Sequence, residues 1–182
     1  MRELSHHILD LLENAFAADV QLVTLEIEES SAENRLIISV KDDGRGMDQE
    51  MVQKVTDPFF TTRTTRHVGL GIPLLLAAAE RCNGRFSIES EVDKGTYVRA
   101  EFQRDHIDRA PLGDIKSTLM GALVSLKECD LVYRHQVDDR SFAFDTKEIR
   151  SILGDVSLSH PRVREWFEDF LDEGLANLGK PG

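Results

Sequence analysis

Asp42-Asp43-Gly44-Arg45-Gly46-Met47 (DDGRGM) decides the fold, because it sets an acid pair and two glycines where an apolar run ends. Before it, Arg35 to Val40 (RLIISV) has the β-branched character of a strand, so the hexapeptide reads as the turn leaving that strand. Further upstream, Val20 to Glu28 (VQLVTLEIE) alternates apolar with polar residues and reads as another strand, with Ser30 to Asn34 as the turn between them. At the start of the chain, Leu4, Ile8, Leu11, Leu12 and Ala15 recur at helical spacing, which predicts a helix over residues 2–18. Downstream of the turn, residues 48–55 are predicted as a short helix capped by Asp48, and 56–68 as a mobile Thr- and Arg-rich loop. A helix follows over 71–82, with Pro73 tolerated in its first turn and Asn83-Gly84 closing it. Two alternating strands, near 85–91 and 96–102, complete the first half.

Composition changes after Arg104, and RDHIDRAPLGD reads as a linker. Beyond it the pattern predicts a helix over 112–127, a hairpin over 130–145 turning at Asp138-Asp139, and helices over 146–153 and 161–177. Val163, Phe167, Phe170, Leu171 and Leu178 form one stripe of the last helix, read as core packing.

With 182 residues and 41% hydrophobic content, the chain is long enough for one generous domain or a domain with an appendage. Thirty-three acids against 22 Lys and Arg give a net charge of -11, which repels nucleic-acid phosphates. The basic cluster Arg63, Arg66 and His67 is too small for a nucleic-acid footprint and suits a single polyphosphate. No apolar run approaches the roughly 20 residues that span a bilayer, and no signal-peptide layout is visible, so a cytoplasmic protein without membrane association is expected. Cys82 and Cys129 form no CxxC spacing and are expected as reduced, buried thiols.

Three motifs then suggest one nucleotide site. A carboxylate held at a strand end, as at Asp42, can accept a hydrogen bond from an exocyclic amine such as that of adenine. Gly44 and Gly46 allow backbone to approach a flat base. Taken alone, however, DDGRG reads as a polar turn between strand and helix. Asp10 and Asn14 share a helix face one turn apart in HHILDLLENAFAA. An amide oxygen suits magnesium, and a carboxylate one turn earlier suits orienting or deprotonating a nucleophile at a γ-phosphate. Either residue alone reads more readily as part of an exposed polar face. VGLGI (Val68 to Ile72) brings Gly69 and Gly71 to a helix N-terminus, where backbone amides bind anions, with Arg63 or Arg66 adding charge.

Together these segments resemble the GHKL ATPase superfamily, the Bergerat-fold group of histidine kinases, type II topoisomerases, mismatch-repair ATPases and anti-sigma serine kinases. LLENA resembles its N box, DDGRGM its G1 box, DPFFTTR the F box of histidine kinases, GLGI its G2 box, and GRFSIESEVDKGTYVRAEF the closing strand pair. The resemblance covers residues 2–104 and implies ATP and Mg2+ as cofactors. It places Asn14 on the metal and Asp42 on the adenine amine. Gly44, Gly46 and Met47 would lie near the base, Arg63, Gly69, Leu70 and Gly71 near the phosphates, and Thr96 behind Asp42.

Departures from the pattern sharpen the expectation. His67 stands where kinases usually have a further glycine, and Ala17 where many have a Lys. Thirteen residues precede Asn14, and no phosphoacceptor-histidine pattern is visible, so phosphorylation in cis is not expected. His6 and His7 read as ordinary helix residues. Histidine kinases commonly place Asn where this chain has Asp10, whereas hydrolysing members and serine kinases place Glu. A carboxylate there tilts the expectation toward hydrolysis or phosphorylation of a hydroxyl, with Glu13 the weaker candidate.

The expectation is therefore an α+β, Bergerat-type α/β sandwich over residues 1–104, a mixed sheet with helices on one face, plus a small α/β appendage over 105–182. Three roles stay open for the appendage: supplying a missing strand, forming a homodimer, or docking a partner. The expected function is a Mg-ATP-binding regulatory protein that phosphorylates or switches a separate protein. The rivals are a stand-alone ATPase using Asp10 as base and a non-catalytic ATP sensor.

Overall fold

A computed structural model describes residues 3–57, 59, 71–126 and 128–179. The elements run α1 (Leu4–Phe16), β1 (Leu22–Ser30), β2 (Arg35–Asp42), α2 (Gln49–Thr56), α3 (Gly71–Arg81), β3 (Arg85–Glu91) and β4 (Gly95–Gln103). They continue with α4 (Ile115–Ser125), β5 (Asp130–Val137), β6 (Arg140–Asp145), α5 (Thr146–Leu153) and α6 (Pro161–Gly179). Each predicted helix and strand is present, most ending within a few residues of its expected bounds. The loop expected over 56–68 lies largely outside the described residues.

Six strands form one mixed sheet in the order β3-β4-β2-β1-β5-β6. Neighbours are antiparallel except β1 and β5, which run parallel from Leu22 opposite Asp130 to Glu29 opposite Val137. The register explains which face is buried. Leu25 stands between Val40 and Tyr133, and Val40 stands opposite Val98, so large apolar side chains form a row across four strands. All four are buried. Because side chains alternate between faces, the intervening Thr24, Glu26 and Lys41 fall on the opposite, polar face, where Glu26 pairs with Arg134 at 2.7 Å.

Helices cover the apolar face. α1 packs on β1 and β2, α3 on β3 and β4, and α6 on β5 and β6, while α4 fills the space between α1 and α6. Leu4, Ile8, Leu11, Leu12 and Ala15 of α1 are all buried, each large side chain stabilising the fold by about 1.5–3 kcal/mol. The residues after Arg104 do not begin a separate sheet; their strands continue the first one from the β1 edge. Segment 105–114 also reaches α1. The Leu4 and Ser5 N–H groups at the start of α1 donate to the carbonyls of Pro111 and Leu112 at 2.9 and 2.8 Å, satisfying two of the amides a helix N-terminus leaves open. Under α6, Tyr133, Phe142, Phe144, Phe167 and Phe170 form an aromatic cluster with ring centroids 5.0–6.4 Å apart.

Candidate nucleotide site

Asp42 is the last residue of β2, held between Val23 of β1 and Thr96 of β4. Its side chain is 8% exposed, and its Oδ1 accepts the Gly44 N–H at 2.9 Å. Burial pushes its carboxyl above the usual carboxylate range, and the hydrogen bonds from Gly44 and Thr96 oppose that rise. A buried carboxylate with acceptor capacity to spare is a strong recognition group for an N–H donor.

The turn that follows is pinned from both sides. The Arg45 N–H donates to Ala18 O at 3.0 Å, and Arg45 O accepts the Asp93 N–H at 2.8 Å. Gly46 has φ 61°, and a Cβ there would lie 1.9 Å from Glu91 O, so no larger residue fits. Asp43 holds the loop before β1, its Oδ1 accepting the Gln21 and Leu22 N–H groups at 2.8 and 2.9 Å. Ser90 joins turn and sheet: its Oγ accepts the Met47 N–H at 2.8 Å, donates to Gly95 O at 3.0 Å, and lies 2.8 Å from Thr96 Oγ1.

Beside Asp42 opens a cavity of about 480 Å³, within the range of small-molecule sites. Asn14, Asp42, Gly46, Met47 and Thr96 line it together, between apolar walls from Leu11, Val40, Val55, Ile72 and Val98. Five residues named from sequence thus converge on one space. Gly44 is not among the lining residues; a Cβ there would meet Ala18 O at 2.6 Å, so its small size serves the packing of the turn against the loop after α1. Arg45 and Asp48 also line the cavity, and Arg45 is the single cation among the described lining residues. Arg63, Gly69 and Leu70 lie outside the described residues.

Asp10 is half-buried on α1, one turn before Asn14. It abuts Gly71, the first residue of α3, where a Cβ would stand 3.0 Å from Asp10 Cβ and 3.1 Å from Oδ2. Burial raises the Asp10 carboxyl above its ordinary range, with His6 opposing. Glu13 is exposed and lines a different surface concavity, with Phe16 and Asp19. His7 lies on the buried face of α1: it is 5% exposed, and its Nδ1 has no hydrogen-bond partner among the described residues. Burial is the main reason its pKa falls to about 4, so the imidazole stays neutral. Sequence reasoning missed Ser90, Asp43 and Arg45. Only Asp43 and Arg45 carried a signal, since both belong to the turn already singled out.

The matching family model is that of the histidine kinase-, DNA gyrase B- and HSP90-like ATPases, over residues 2–106. The chain belongs to this family and carries its ATP-binding domain. It is 34% identical over 103 residues to a putative sensor protein of Shewanella frigidimarina, a match covering 56% of this chain and 16% of that protein. It is 31% identical over 94 residues to sporulation kinase C of Bacillus subtilis, covering 52% of this chain and 22% of the kinase. These matches therefore span under a quarter of the relatives' lengths. Among solved structures, the catalytic domain of histidine kinase ThkA is similar at 22% identity and a TM-score of 0.42, covering 57% of this chain and 67% of that one. Among the described residues no helix is long and apolar enough to cross a membrane.

Proposed function

We propose that the cavity beside Asp42 binds Mg-ATP and that the chain uses it to phosphorylate or switch a separate protein. The observation that carries this reading is the buried Asp42 carboxylate, set among apolar walls in a space of nucleotide size. In this reading Asp42 accepts the adenine amine, with Thr96 behind it, and Met47 and Ile72 offer apolar surface to the base. Gly46 shapes the turn, and Gly71 brings the N-terminus of α3 toward the phosphates. Arg63, Gly69 and Leu70, which lie outside the described residues, are the proposed source of further phosphate contacts.

The donor set fits the metal as well as the nucleotide. An amide oxygen on a helix face bordering the cavity suits magnesium, which prefers oxygen ligands and retains several waters. Asn14 would be its protein ligand, and the ion when bound neutralises charge on the β- and γ-phosphates. Asp10, half-buried and one turn away, would accept the proton of a hydroxyl or water presented to the γ-phosphate. Its raised carboxyl makes it a better proton acceptor than an ordinary aspartate. The same feature supports a second reading, in which water is the nucleophile and the chain is an ATPase on its own.

The deciding experiment is turnover of γ-labelled Mg-ATP by the purified chain beside Asp10→Asn and Asn14→Ala. Phosphate release by wild type and not by Asp10→Asn favours the ATPase. No release, with ATP still protecting against heat, favours a kinase or switch that needs its partner, which labelled transfer to proteins retained by the chain would then reveal. Failure of ATP to bind at all would sink both readings.

A further inference from the structure

β6 is an outer strand of the sheet. It pairs with β5 on one side, and among the described residues its backbone exchanges no hydrogen bond with any other segment. The opposite outer strand, β3, exposes Arg85, Glu89 and Glu91, charges of the kind that keep an edge from pairing. β6 has no such guard between Arg140 and Asp145. Ser141 and Ala143 are its exposed residues, while Phe142 and Phe144 pack against Phe170 and Phe167 of α6.

The neighbouring flank of α6 is uncovered as well. On the inner flank, Arg164 and Phe167 line a cleft with Met120 and Leu123 of α4. The outer flank carries Arg162, Trp166 and Glu173, whose spacing of i, i+4 and i+11 makes one stripe of a helix. Trp166 is 48% exposed although it stacks on Phe170 with ring centroids 5.3 Å apart. Phe170 in turn lies 5.2 Å from Phe142, so the indole stands beside the edge strand. Arg162 and Glu173 are both exposed, and neither pairs with an opposite charge among the described residues.

We propose that β6 and this flank of α6 form an interface between two copies of the chain, related by a two-fold axis. Such a contact must be complementary to itself. The α6 stripe has a cation at one end, a carboxylate at the other and an aromatic ring between. A second α6 laid antiparallel therefore sets Arg162 of each copy against Glu173 of the other. The same axis runs β6 antiparallel to its copy, and a pairing centred on Ala143 sets Phe142 opposite Phe144 of the second copy, a favourable cross-strand aromatic pair. One axis serves both elements, because Phe142 abuts Phe170 and Phe144 abuts Phe167, which puts Ala143 level with the middle of the stripe. An acidic or a basic peptide would match only one end of it.

Sedimentation velocity of the nucleotide-free chain over a dilution series tests this independently of the ATP reading. The chain should sediment at twice its 20.5 kDa mass and dissociate on dilution, with a Kd of about 10 μM expected for a transient contact. Trp166, the single tryptophan, should shift its emission to the red over the same range. Arg162→Glu sets like charges face to face and should weaken the dimer about tenfold or more. Ala143→Lys, which puts two cations at the axis, should do the same. Both positions are exposed, so each variant should melt like wild type. Arg162→Glu combined with Glu173→Arg restores the pairs and should restore the dimer. A chain that stays monomeric well above the expected Kd overturns the proposal. So does a dimer that neither Arg162→Glu nor Ala143→Lys weakens, or a charge swap that fails to recover what Arg162→Glu removed.

Discussion

Gly71 faces Asp10 across the junction of α3 and α1, at a separation that would leave a Cβ on residue 71 only 3.0 Å from Asp10 Cβ. The glycine thereby fixes how near the start of α3 can come to the proposed base. Alanine in a helix usually stabilises by up to about 1 kcal/mol relative to glycine, and here that gain is offset by crowding. Gly71→Ala should leave thermal stability nearly unchanged while lowering ATP turnover about tenfold or more, through displacement of Asp10. Unfolding curves and turnover on one preparation test this. Unchanged turnover would mean that the contact does not position the carboxylate.

The Asp10 carboxyl gives a pH signature. Burial raises its folded pKa, and His6 opposes the rise. The folded chain therefore holds this proton to higher pH than the unfolded chain. The favourable contribution of the protonated carboxyl is complete below the unfolded value and is lost as pH rises through the folded one. Asp10→Asn cannot lose it, so the variant should melt higher than wild type at neutral pH, with the gap closing on acidification through the carboxylate range. Turnover should fall over the same window as the base is protonated. A gap that widens in acid would contradict the burial effect.

Asp42 should govern base recognition. Replacing its carboxylate with an amide, as in Asp42→Asn, removes a charge-assisted acceptor worth about 1.5–3 kcal/mol. ATP affinity should drop by roughly ten- to a hundredfold, and the wild-type preference for ATP over GTP should shrink. Calorimetric titration of both nucleotides distinguishes this from a general loss of binding. Equal weakening toward ATP and GTP would remove Asp42 from base selection.

The order of elements and the turn chemistry were legible because they are local. DDGRGM needs glycine where φ is positive, and Asn34, Asn83 and Asp138 occupy left-handed turns where short polar side chains are tolerated. The pairing of β5 with β1 was not legible. A parallel pair is joined through the rest of the chain, and no local residue announces its partner. The segment after Arg104, which reads as a linker by composition, instead supplies acceptors to the first amides of α1. At the site, Asn14, Asp42 and Thr96 carried family signals, whereas Ser90 is one serine in an alternating strand. Its importance appears only once β3 lies beside the turn.

That importance can be tested. Ser90 Oγ accepts the Met47 N–H at 2.8 Å and contacts Thr96 Oγ1 at the same distance. Ser90→Ala leaves the Met47 amide without its acceptor in a part-buried setting, at a cost of about 1 kcal/mol. The melting temperature should fall by a few degrees, and ATP affinity should fall with it, because the turn carrying Gly46 loses an anchor. A stability loss with unaltered affinity would confine Ser90 to the sheet.

Gly174 presents a case where helix propensity and packing disagree in sign. It lies within α6, where alanine would ordinarily stabilise by about 1 kcal/mol. A Cβ there, however, would stand 2.2 Å from Phe142 Cε2. Phe142 is part of the aromatic cluster between β6 and α6, 5.2 Å from the Phe170 ring and 6.1 Å from that of Tyr133, so the ring has little room to yield. Overpacking of this kind costs about 1–3 kcal/mol, enough to outweigh the helical gain. Gly174→Ala should therefore lower the melting temperature, and adding Phe142→Leu should recover part of the loss, because the smaller side chain vacates the contested space. If Gly174→Ala instead raised the melting temperature, α6 would have to sit farther from β6 than its contacts with Phe142 allow.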